Sequence, residues 1–180
     1  MRMNRIVLWS LLAGAPVVAL PAIASAAMPP GPDVQKALES AKVTLAQAIT
    51  TVEKQTGGKS THAMFGEEAG KSGYTVIAYS GAKMQAMWVD PLSGAASVIA
   101  KPTPDETSIE TADKAEEPTL IGAKATLSQA VALAERHDGG RAFDAALARH
   151  NNMVAISVDV LKDGKLSTVW IDPAAGKIES

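Results

Sequence analysis

Two hydrophobic rhythms alternate along this chain. From Leu45 the apolar positions recur at i, i+3, i+4 and i+7 (Leu45, Ala48, Ile49, Val52), and the same stripe returns as Leu127, Ala130, Val131 and Ala134. That spacing gathers them on one face of an amphipathic helix. Thr44 and Thr126 stand just before the stripes, and Gln47 and Gln129 lie three residues later, the spacing of a capping box. Gly57-Gly58 and Gly139-Gly140 then supply a left-handed stop. So short a helix is marginal alone. Burial of Leu45, Ile49 and Val52, at roughly 1.5–3 kcal/mol each, is expected to hold it against a sheet.

Beyond each glycine pair the period falls to two. Val154, Ile156, Val158 and Val160 alternate with Ala155, Ser157, Asp159 and Leu161, which predicts a strand with one buried face. Asp163-Gly164 is a hairpin turn, since both residues tolerate positive φ, and the return strand spans 165–171. Residues 74–80 and 83–89 take the corresponding places around Gly81, and 59–65 reads as a further strand. Its counterpart, "RAFDAALARH" at 141–150, has helical composition, so position and composition conflict there. The expected fold is α+β: two repeats, each one helix followed by a three-stranded antiparallel sheet.

The two rhythms recur because the chain repeats itself at an offset of 82. "AKVTLAQAI" (41–49) falls on "AKATLSQAV" (123–131), and "MWVDPLSG" (87–94) falls on "VWIDPAAG" (169–176), with no gap between. The repeats are therefore 41–98 and 123–180. On each return strand Met84, Ala86 and Trp88, or Leu166, Thr168 and Trp170, share one face. Each Trp is expected to be a core residue where the helix crosses the sheet. Asp-Pro cannot continue a central ladder, because Pro has no N–H, and the following Gly eases the turn. The octet reads first as strand, stop and turn.

A helix opening "TLxQA", a glycine pair, a hairpin and a strand ending aromatic-x-Asp-x-x-x-Gly resembles the PepSY domain, in tandem. The family commonly closes on "V-D-x-x-T-G-x-V"; Ser93 and Ala175 stand here where Thr is common. The resemblance covers both repeats but neither leader nor linker. It implies a relation to the propeptide of thermolysin-type metallopeptidases, with roles in restraining peptidases and in other envelope proteins. It brings no catalytic residues.

Residues 1–26 read as a signal peptide: Arg2 and Arg5, an apolar run from Ile6 to Leu20, then "ASA" at 24–26. The run is shorter than the ~20 residues a membrane span needs, and no other such run follows, so no span is expected after cleavage. The expected destination is the periplasm, with secretion as the lesser alternative. Removing the leader leaves 15 basic against 19 acidic residues, a formal net charge of −4, and no basic run, which gives nucleic-acid binding no support. There is no cysteine, so disulfides and thiolate chemistry are excluded. Residues 99–122 form an acidic, Pro-containing linker, with prolines at 102, 104 and 118 and six acids; it reads as a solvated tether and admits a short helix over 108–116. Residues 32–40 read as a leading helical turn with Pro32 at its first position.

Candidate chemistry is sparse. His62, His137 and His150 have no metal-like partner at i+2 to i+4, and His62 falls on Asp144 at the repeat offset, so no histidine is repeated. Met84 and Met87 make an M-x-x-M, but their opposite parity on a strand keeps them from converging, and Met as core filler is the better reading. Asp90 and Asp172 read as turn residues rather than an acid–base pair, and Ser93 lacks a nucleophile-elbow context. No catalytic, cofactor or metal residue is nominated, and no cofactor is expected. Two functions fit. One is a non-catalytic periplasmic binding and regulatory protein, its partner an envelope protein or a peptidase it restrains, with an open sheet edge able to accept another chain as an added strand. The other is a structural or carrier module for a small ligand or metal in the envelope.

Overall fold

In the computed structural model, which describes residues 30–81, 83–99, 123–151 and 153–179, both striped segments are helices with the written ends. Helix α1 spans Pro32–Ser40, with Pro at its first turn, and α2 spans Leu45–Thr56. In α2 the Thr44 hydroxyl accepts from the Gln47 N–H while the Gln47 side chain accepts from the Thr44 N–H. Helix α3, Leu127–Asp138, repeats this box with Thr126 and Gln129. Gly57 and Gly139 close the two helices at φ 68° and 72°, the left-handed region that glycine occupies without strain.

After α2 come strands β1 (Lys59–Glu68), β2 (Lys71–Ser80), β3 (Lys83–Val89) and β4 (Ala96–Val98). After α3 come β5 (Arg141–His150), β6 (Met153–Lys162), β7 (Lys165–Asp172) and β8 (Lys177–Ile178). The unit thus exceeds the expected helix and three strands: a short fourth strand pairs back on each return strand. The conflict over 141–150 resolves as strand. Ala142, Phe143, Ala145 and Leu147 are buried, and β5 is hydrogen-bonded on both sides, so packing overrides a helix-forming composition.

The halves do not keep separate sheets. β1 pairs antiparallel with β5, giving one eight-stranded antiparallel sheet in the order β4-β3-β2-β1-β5-β6-β7-β8. At the seam Ala63 stands opposite Ala145, its own counterpart at the 82-residue offset, flanked by His62 opposite Ala146 and Met64 opposite Asp144. Those three pairs define a local two-fold relation between the halves. The first-strand edges that two separate sheets would offer are therefore used against each other. The outermost strands β4 and β8 are only three and two residues long; they pair with residues 87–89 of β3 and 171–172 of β7 and do not extend over the rest of those strands.

The three described helices pack on one face. Leu45, Ala48, Ile49 and Val52 of α2 and Leu127, Ala130, Val131 and Ala134 of α3 are at most 1% exposed and share one core with Leu38, Phe65, Tyr74, Val76, Val158 and Ile171. Arg141 ties the halves on this side, donating to the carbonyls of Ala41 and Val43 between α1 and α2. Among the described residues no helix lies on the opposite face. A smaller cluster forms there from Ile77, Tyr79 and Ala86, with Met84 and Ile99 against it. The predicted signal peptide over 1–26 and residues 100–122, including the predicted helix over 108–116, lie outside the described residues.

Candidate binding surface

The repeated octet shows how local sequence sets this surface. Along β3, Met87 and Val89 turn toward the helices and are 1% and 0% exposed; Val169 and Ile171 do the same on β7. Trp88 and Trp170 point to the opposite, helix-free face and are only half-buried. The expectation of two core tryptophans is therefore wrong. Parity correctly groups Met84, Ala86 and Trp88, but packing decides which group meets the helices. Tyr74, in edge contact with Phe65, and the valine and isoleucine positions already fill the helix side.

The octet's second half is structural. The Pro91 carbonyl accepts from the N–H groups of Lys42 and Val43, and Pro173 accepts from Lys124 and Ala125, so each turn fixes the entry to its own helix. Asp90 Oδ1 accepts from the N–H of Leu92 and Ser93 and from the Ser93 hydroxyl, and these bonds hold its carboxyl below the usual range. Asp172 accepts from Ala174 and Ala175 in the same way. Ser93 thus serves the turn. Met87 lies in the helix-side core and Met84 on the other face.

The two tryptophans have different neighbours. Trp170 is stacked on His150, centroids 4.3 Å apart at 15°, and His150 Nε2 lies 3.9 Å from a Glu179 carboxylate oxygen. Trp88 lies over Gly73: a Cβ built there would come within 2.3 Å of its ring, and the equivalent residue in the second half is Ala155. Beside Trp88 a pocket of about 430 Å³ is lined by Glu68, Ala69, Lys71, Ser97, Val98 and Ile99.

Between the tryptophans, near the two-fold, runs a polar row. His62 Nε2 and Asp144 Oδ2 are 3.3 Å apart across the β1–β5 seam, with side chains 10% and 25% exposed. Asp159, opposite Asp144 on β6, accepts a 2.5 Å hydrogen bond from Thr168. Burial raises the Asp159 carboxyl above the usual range, the Thr168 bond works against this, and the Asp144 charge adds to it. Sequence reasoning registered that His62 and Asp144 occupy equivalent positions but not that they meet, because only a two-fold pairing of β1 with β5 brings equivalents together. His137 lies elsewhere, exposed at the end of α3 beside Asp138 at 2.6 Å. Among the described residues no three His, Cys, Asp or Glu side chains gather as a metal site.

On the helix side a shallow groove of about 700 Å³ lies between α2 and α3, lined by Lys42, Thr50, Lys54 and Ser128 among others. Gln47 and Gln129, which also line it, are committed to the capping boxes. No described helix is long and apolar enough to cross a membrane.

No family model matches the chain, and no curated protein matches it. Among solved structures it is similar to a candidate lipoprotein from Clostridium difficile 630, at 15% identity over 78% of this chain and 93% of that one, with a TM-score of 0.43.

Proposed function

We propose that the mature chain is a non-catalytic periplasmic binding and regulatory protein built of two PepSY-like modules, and that it binds through the helix-free face of the joined sheet. The observation that carries this reading is the placement of Trp88 and Trp170, half-buried on that face rather than in the core. Trp is favoured where a partner is recognised, because it presents a large rigid area at small entropic cost. Met64 and Met153, 37% and 61% exposed, share the parity of the helix-free face and add apolar area to it. The seam occupies the first-strand edges at three residue pairs, which reduces the edge open to an added strand. Restraint of an envelope peptidase is the form of regulation the PepSY resemblance implies.

The test is capture from envelope extract by residues 27–180, in parallel with a Trp88→Ala/Trp170→Ala variant shown to be folded. A partner held by the parent and lost by the variant supports the reading; one held equally by both defeats it. If the partner is a peptidase, restraint requires a stoichiometric fall in its rate, and full activity in excess protein removes that form of regulation. The pocket beside Trp88 also favours a second reading, a carrier for a small ligand. That reading requires a ligand-dependent rise in melting temperature, and a flat screen over envelope small molecules and metals counts against it.

A further inference from the structure

We infer that the pocket beside Trp88 takes the guanidinium of an arginine side chain presented by a partner chain. The inference deepens the proposed function and rests on it. Its source is the difference between the two halves. In the second half a planar nitrogenous ring, His150, stacks on the indole of Trp170, and the Glu179 carboxylate stands near the ring nitrogen. In the first half the residue equivalent to His150 is Glu68, and the residue equivalent to Glu179 is Ser97. The first half therefore keeps an indole and a carboxylate but has no ring from that position, and a pocket of about 430 Å³ lies there instead.

The chemistry selects the guest. An indole face is electron-rich and attracts a cation, while an anion on it is disfavoured. A guanidinium is flat enough to stack as His150 does, and its N–H fork can bind a carboxylate at the same time. A lysine ammonium is a compact, strongly hydrated point charge and does the first poorly. Lys71, opposite Glu68 on β2, also lines the pocket and opposes a cationic guest. Gly73 presets the indole by letting it lie against the strand, where the Cβ of an alanine would lift it.

The test follows the two indole N–H signals of residues 27–180 by NMR, assigned with Trp170→Phe, during millimolar titration with Nα-acetyl-arginine amide. The neutral isostere Nα-acetyl-citrulline amide and Nα-acetyl-lysine amide serve as comparisons. A saturable shift of the Trp88 signal is expected, with arginine at least about fivefold tighter than citrulline and tighter than lysine. Glu68→Gln is expected to weaken arginine binding severalfold. Glu68→His, which installs the ring found in the second half, should abolish it. An unmoved Trp88 signal, equal binding of citrulline, or unchanged binding by Glu68→His overturns the inference. Failure here together with Trp-dependent partner capture removes only the guanidinium; loss of Trp dependence in capture removes the binding face itself.

Discussion

The paired glycines that end each helix have different tasks, and alanine substitution separates them. Gly57 sits at φ 68° with nothing within 4 Å of a built Cβ, so Gly57→Ala pays only for a left-handed backbone, about 1–2 kcal/mol. Gly58 has no positive φ to protect, but a Cβ there would lie 2.4 Å from the Tyr79 carbonyl oxygen and 2.8 Å from its carbon. The obstacle is backbone paired with Lys59, so relief means shifting the ladder where β1 meets β2. Overpacking plus a weakened ladder bond puts Gly58→Ala at about 2–4 kcal/mol. Gly140 repeats the arrangement, 2.5 Å from the Leu161 carbonyl oxygen and 2.7 Å from a Val160 methyl. Urea unfolding of residues 27–180, followed by circular dichroism, measures each difference. Asparagine sharpens the contrast, because it tolerates positive φ yet carries a Cβ: Gly57→Asn should recover most of the loss and Gly58→Asn none of it. If Gly58→Ala costs no more than Gly57→Ala, or if asparagine rescues both, close approach is not what requires the second glycine.

Three further outcomes follow from the same geometry. Ile171→Ala, in the helix-side core, should cost about 3 kcal/mol or more, and its neighbour Trp170→Ala only about 1–2, read from thermal or urea unfolding; the reverse order would return the tryptophan to the core. Asp159 has a raised folded pKa, so the native state holds its proton more tightly than the unfolded chain does, and stability falls as pH rises through that folded pKa. Asp159→Asn, which can still accept from Thr168, should therefore be the more stable protein at pH 7 and lose its advantage in acid; a pH-independent difference would contradict this. A double-mutant cycle on His62→Ala and Asp144→Asn should give a coupling of about 0.5–1.5 kcal/mol at the seam, and strict additivity would show that the 3.3 Å contact contributes nothing.

The sequence by itself determined what depends on near neighbours. The helix stripes, both capping boxes and both left-handed glycine stops are interactions over a few residues, and each was legible in the spacing. So was the correspondence of the halves at 82 residues, because identity needs no geometry. Tertiary structure decided whatever pairs residues far apart or chooses between two equivalent faces. Alternation sorted Trp88 from Met87, but a strand has two faces, and only the packing of α2 and α3 made one of them the core. "RAFDAALARH" became a strand because β1 and β6 satisfy its backbone from both sides, a fact absent from its composition. His62 and Asp144 meet because β1 and β5 pair about a two-fold, with Ala63 opposite Ala145, and no local pattern encodes that register.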